Sequence, residues 1–155
     1  MVRLIVLVVV DIVVVVTASI GVGAWAPRWP ASWLGHDTFP LTRMPWESPA
    51  FFRRLGVPAL SRRLPELGST FGGESKAALP GLAADDLAAY LREVRRAEWV
   101  HWLSIAVTLV LLAFNPLWLA LVFIVGVGLG NLPFILVLRN NRFRLLRILD
   151  KAGAR

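Results

Sequence analysis

The forty residues from Trp99 to Leu138, WVHWLSIAVTLVLLAFNPLWLALVFIVGVGLGNLPFILVL, decide the fold. They hold two apolar runs, Trp99 to Phe114 and Leu117 to Leu138, separated only by Asn115-Pro116. An Asn-Pro pair favours a tight turn. At a rise of about 1.5 Å per residue, the second run covers the roughly 30 Å hydrocarbon core of a bilayer. The first run is short by itself, but the helical pattern before it supplies another turn. The spacing therefore predicts a helical hairpin in a membrane.

A third apolar run lies upstream, Leu4 to Trp25, interrupted by the single acid Asp11. It too is long enough to span. The whole chain agrees with this reading: 57% of its 155 residues are hydrophobic and the mean hydropathy is +0.65. Trp25, Trp29, Trp33, Trp99, Trp102 and Trp118 fall at or near span ends, as an aromatic belt requires; Trp46 does not. A secretory signal peptide cleaved at Ala24-Trp25-Ala26 is the rival for the first run. Asp11 inside the apolar region and Pro27 just after the site argue against it.

Charge sets the expected orientation. One basic residue precedes the first span, ten lie between the first and second, none lies in the Asn-Pro turn and six follow the third span. The positive-inside rule then places the central segment and the tail in the cytoplasm. The expected fold is all-α: an integral membrane protein with three transmembrane helices (about 4–25, 99–114 and 117–138), a cytoplasmic amphipathic helical segment over 26–98 and a basic cytoplasmic tail over 139–155. Residues 1–155 form one membrane domain.

Composition excludes several classes. With no cysteine there is no disulfide, thiolate nucleophile or cysteine-based metal site. Only His36 and His101 are histidines, so no metal site is expected. The net charge of +7 fits topology and anionic headgroups; no motif points to nucleic acid as a partner.

The central segment has its own pattern. Ser48-Pro49 reads as a helix start, followed by an apolar face of Phe51, Phe52 and Leu55 flanked by Arg53 and Arg54. Pro58 restarts the pattern with Leu60 and Leu64 beside Arg62 and Arg63. Such basic amphipathic pieces suit a headgroup layer; a small soluble cap with a solvated basic face is the alternative. Gly68 to Ser75, GSTFGGES, reads as a loop and not a P-loop. Ser75 and Lys76 are candidate phosphate contacts there, against the plainer reading of an ordinary turn. From Ala84 the pattern is helical and unbroken to Phe114.

That long helix carries polar residues into the membrane mouth. Arg95, Glu98, His101 and Ser104 form a ladder at steps of three, each rung within reach of the next. A carboxylate beside an imidazole fixes its tautomer, a familiar way to make a base for a hydroxyl. By helical rise, Ser104 lies about 7 Å and Asn131 about 10 Å inside the mouth. Arg139, Asn141, Arg142, Arg144 and Arg147 continue the third span on the same side. Asp11, about 21 Å from the end of its own span, is too deep to join them. Each residue also has a plain structural role: the arginines as charge anchors, His101 as an interfacial side chain, Glu98 as a partner for Arg95, Asn131 as an interhelical bond, Ser104 as a backbone bond. Their convergence at one level is what favours chemistry.

The pattern Arg96-Ala97-Glu98-x-x-His101-Trp102-x-Ser104, then Asn131-x-Pro133, then Arg139-x-Asn141-Arg142-x-Arg144-Leu145, resembles the glycosyl-4,4'-diaponeurosporenoate acyltransferases of bacterial carotenoid biosynthesis. Trp46-Glu47, Leu64-Pro65-x-x-Gly68 and Phe71-x-Gly73-x-Ser75-Lys76 extend the resemblance into the central segment. It is strong over 84–149, moderate over 46–76 and weak in the first span. One departure is Leu60-Ser61, where family members are expected to carry a Trp-Lys pair. The resemblance implies a multi-pass protein of a bacterial cell membrane that moves a fatty acyl group to a sugar hydroxyl of a carotenoid glycoside or similar glycolipid. The expected partners are membrane lipids, a lipid-soluble glycoside acceptor and an acyl-CoA-like thioester as donor substrate, with no further cofactor. The resemblance brings no assigned catalytic residue; the polar ladder at the mouth makes His101 the expected base and Glu98 its orienting partner, while Asn131 or Ser104 donates to the oxyanion. Arg139 and Arg142, with Arg96, Asn141, Ser75 and Lys76 as further candidates, hold the donor's phosphates. A non-catalytic lipid-binding subunit of a biosynthetic complex is the competing expectation.

Overall fold

The computed structural model describes residues 2–64 and 84–153. Three long helices dominate. Helix α1 runs Val2–Trp25 and is apolar nearly throughout. Short 3-10 turns follow at Ala26–Arg28, with Pro27 in the first turn, and at Ala31–Leu34. Helix α2 is Pro49–Arg54 and α3 is Val57–Ser61. Ser48 caps α2, its Oγ accepting from the Phe51 N–H at 3.1 Å. Gly56, at φ +69°, turns the chain between the two helices, a left-handed conformation that favours glycine. Helix α4 is Ala84–Ala106 and α5 is Leu117–Gly153.

Helix α4 does not stop at Ala106. It tightens into a 3-10 stretch, Val107–Ala113, that reaches the Asn115-Pro116 turn. Thr108 sits at the change of pitch, and its hydroxyl donates to the Ile105 carbonyl at 2.6 Å. The unbroken helix read from Ala84 to Phe114 is therefore present, with a tighter last section. Helix α5 continues past Leu138 through the basic tail and contains Pro133, which cannot donate a backbone hydrogen bond.

The stretches Val2–Arg28, Asp85–Ala113 and Leu117–Lys151 are long and apolar enough to cross a membrane. Large apolar side chains around them stay exposed, Val9, Val13, Val122, Val125 and Leu129 among them. Such a surface suits lipid as solvent and not water. Among the described residues there is no strand. The protein is an all-α membrane protein.

Helices α4 and α5 form the central antiparallel pair. Away from the turn, Leu87, Tyr90, Leu91 and Val94 pack against Leu138 and Leu145. Toward the turn, Val15 of α1 closes on Leu111 and Ala120. The other end of α1 is held where Ala26, Trp29 and Leu34 pack with Trp99, Val100 and Leu103. Helices α2 and α3 lie along α5, with Phe52 and Val57 against Val137 and Phe143. Asp11 is fully buried and accepts from Asn115 Nδ2 at 2.8 Å, which ties α1 to the turn of the hairpin. A polar group inside a membrane needs such a partner, because lipid supplies none.

Candidate functional site

Two polar assemblies lie at the end of the α4–α5 pair away from the turn. The larger is a chain of six alternating charges: Arg95, Asp37, Arg142, Glu98, Arg139 and Glu47. Arg95 Nε lies 2.7 Å from Asp37 Oδ1. The other Asp37 oxygen pairs with Arg142 Nη1. Arg142 Nε donates to Glu98 Oε2 at 3.1 Å. Arg139 Nε lies 3.0 Å from Glu98 Oε1, a charge contact whose angle is too poor for a hydrogen bond. Arg139 Nη1 then donates to Glu47 Oε1 at 2.9 Å. Three cations meet three anions, so the assembly is neutral. Arg142 and Glu98 are fully buried. Neutrality is the condition for such burial, since an unpaired ion inside a protein is strongly unfavourable.

The same guanidiniums fasten the irregular loop 34–47 to the helices. Arg95 Nη1 donates to the carbonyls of Leu34 and Gly35 at 3.1 and 3.0 Å. Arg139 Nη2 donates to Pro40 O and Thr42 O at 2.6 and 2.9 Å. Arg142 Nη2 donates to Leu41 O at 2.5 Å. A loop without a ladder must find partners for its carbonyls elsewhere, and arginine's five-donor fork supplies several from one side chain. Glu47 closes the loop on itself, accepting from Met44 N at 2.7 Å.

The second assembly surrounds His101. Its Nδ1 lies 2.7 Å from Asn131 Oδ1. Asn131 Nδ2 donates to the Val127 carbonyl at 2.8 Å, one turn back on α5. That second bond fixes which end of the amide faces the imidazole. The amide oxygen accepts, so His101 Nδ1 carries a proton; in the neutral imidazole the lone pair is then on Nε2. The ring stacks on Phe134, with centroids 4.9 Å apart and planes 13° from parallel. Ser104 is buried one turn closer to the hairpin turn.

The expected site residues thus divide. His101 and Asn131 are in hydrogen-bond contact, and buried Ser104 stands one turn along α4 from His101. Asn131 Oδ1 lies against the imidazole. Glu98 joins the charge chain through both oxygens. Arg139 and Arg142, expected to hold phosphates, are buried and engaged by carboxylates and carbonyls. An anionic ligand would have to displace several short contacts to reach them. Arg96 is half-buried and pairs with Glu93 one turn back. Asn141 is half-buried on α5. Ser75 and Lys76, with the whole Gly68–Ser75 loop, lie outside the described residues.

Sequence reasoning missed Asp37 and Glu47 as members of the site. A signal was available. Two arginines at 139 and 142, a turn apart at the end of an apolar span, need anions when buried. Asp37 and Glu47 are the sole acids between Asp11 and Glu66.

No curated protein and no solved structure matches the chain. A family profile does, over residues 30–151, and that stretch holds every member of both assemblies. The first 29 residues, nearly all of them α1, fall outside it. With the profile covering most of its length, the chain belongs to the glycosyl-4,4'-diaponeurosporenoate acyltransferase family.

Proposed function

We propose that the protein transfers a fatty acyl group from a thioester donor to a sugar hydroxyl of a carotenoid glycoside or similar glycolipid, with His101 as the base. Family membership supports acyl transfer in carotenoid glycoside biosynthesis. The observation that carries the mechanism is the Val127–Asn131–His101 chain of hydrogen bonds, which holds the imidazole in one orientation between α4 and α5.

The steps balance simply. His101 Nε2 takes the proton from the sugar hydroxyl as its oxygen attacks the thioester carbonyl. The C–O bond forms, negative charge collects on the carbonyl oxygen, and in this reading Ser104 Oγ–H donates to it. Collapse breaks the C–S bond, and the thiolate leaves with the proton returned from Nε2. Asn131 holds the imidazole through both proton transfers. A His at the mouth suits the substrates: the donor is charged and water-borne, the acceptor is dissolved in lipid. The excess of basic residues in the central segment and tail supports a cytoplasmic mouth in a bacterial cell membrane.

Lipid analysis of cells with and without the chain tests the reading. An acylated glycolipid is expected only where the chain is present. An unchanged lipid profile, with partner proteins lost from a membrane complex, would favour a non-catalytic lipid-binding subunit. A finer test is Asn131→Leu, which removes the acceptor that holds Nδ1–H. The transfer rate should fall by roughly 10- to 100-fold, as when a base loses its orienting partner. The thermal midpoint should move little. An unaltered rate would remove Asn131 from the mechanism.

A further inference from the structure

A cleft of about 250 Å3 opens between the start of α2 and the far half of α5. Arg43, Ser48, Asn140, Phe143 and Arg147 help to line it. Both arginines are exposed. Each is anchored to Phe143. The Arg43 guanidinium carbon lies 5.4 Å from the ring centroid, and Arg147 Nε donates to the Phe143 carbonyl at 3.3 Å. Arg43 Nε donates to the Glu47 carbonyl at 2.9 Å. Among the described residues no carboxylate pairs with either guanidinium.

A guanidinium held through Nε keeps its two terminal nitrogens for an oxyanion. The Asn140 amide adds a neutral donor. Ser48 Oγ already accepts from Phe51 N, which leaves its O–H to donate. Three carboxylates also line the cleft: Asp37, Glu47 and Asp150. The first two are neutralised within the charge chain, so Arg43 and Arg147 outweigh Asp150.

We propose that this cleft binds a phosphate group at a site separate from His101. At about 3.6 residues per turn and 1.5 Å per residue, Asn140 and Arg147 lie about 14 and 24 Å along α5 from Asn131, on nearly the opposite face. The same chemistry has two sources. One is a nucleotide phosphate of the kind coenzyme A carries, which would link the cleft to the acyl-transfer reading. The other is the phosphodiester of an anionic lipid, which would not need that reading at all.

The test uses the full chain in nanodiscs. In one arm, coenzyme A is titrated calorimetrically into protein in phosphatidylcholine discs. In the other, discs contain phosphatidylglycerol, and lipid retained after detergent extraction is counted by native mass spectrometry. Arg147→Ala and the double variant Arg43→Ala/Arg147→Ala are compared with the unaltered chain. Affinity should fall roughly tenfold per arginine for the true source, because each removes charge-assisted bonds. A fall for coenzyme A alone assigns a nucleotide phosphate; a loss of retained phosphatidylglycerol alone assigns a lipid headgroup; either supports the site. If neither probe depends on the two arginines, the proposal is overturned, whatever the transfer assay gives. Among the described residues, Arg147 hydrogen-bonds only to a carbonyl four residues back on its own helix. Its removal therefore leaves the fold intact and the binding result readable.

Discussion

His101→Ala lowers the rate of acyl transfer by roughly 10²- to 10⁴-fold, the usual contribution of a positioned base. On the proposed mechanism the alanine lacks the base that takes the hydroxyl proton as the new C–O bond forms. Asn131 keeps its bond to Val127, and the apolar contacts of α4 with α5 at Leu87, Leu91, Val94, Leu138 and Leu145 are untouched, so the helices stay paired. The measurement is the initial rate with purified protein in nanodiscs, taken with the thermal midpoint of the same sample. Undiminished turnover would remove His101 from the chemistry and return the family's reaction to some other residue. His101→Gln separates bulk from basicity. It restores a polar side chain beside Asn131 but no base, and should stay as slow as the alanine.

Arg142→Ala destabilises the protein by about 3–5 kcal/mol, the range for removing one partner from a buried ion pair. Arg142 is fully buried and touches Asp37, Glu98 and the Leu41 carbonyl. Its loss leaves Glu98, also fully buried, with Arg139 as its remaining cation among the described residues. It breaks the chain of six charges in the middle and leaves a net negative charge inside. The loop 34–47 loses its central fastening. Thermal unfolding in detergent reads the effect, with exposed Arg144→Ala as the control, expected to lie within about 0.5 kcal/mol of the unaltered chain. Equal midpoints for the two variants would show that the charge chain contributes nothing. Arg142→Lys should fall between them. It keeps the charge, but one ammonium cannot replace a planar fork that reaches two carboxylates and a carbonyl.

Particular residues show where the sequence could be read and where it could not. Ser48-Pro49 announced α2 because a capping hydroxyl followed by proline is a local device. Asn115-Pro116 announced the hairpin turn for the same reason. His101 and Asn131 could be matched by depth, since helical rise converts residue number into height. Sequence distance favours pairing Glu98 with His101, a neighbour on the same helix. The folded chain also brings two guanidiniums from α5 to that carboxylate. Asp37 and Glu47 sit 58 and 51 positions from Arg95 and Glu98, and nothing local tied them together.

The sequence by itself determined how many helices cross the membrane, where they turn, and which residues stand at the mouth. Those features rest on hydrophobic run length, on turn chemistry and on rise per residue, all of which act within a few neighbouring positions. Tertiary structure alone decided which charges meet. Burial makes a charge seek its opposite wherever the fold brings one close, and Arg139 and Arg142 meet their carboxylates and fasten a loop from distant positions in the chain. It also decided the tautomer of His101, because that depends on an amide thirty residues away and on the carbonyl that amide holds.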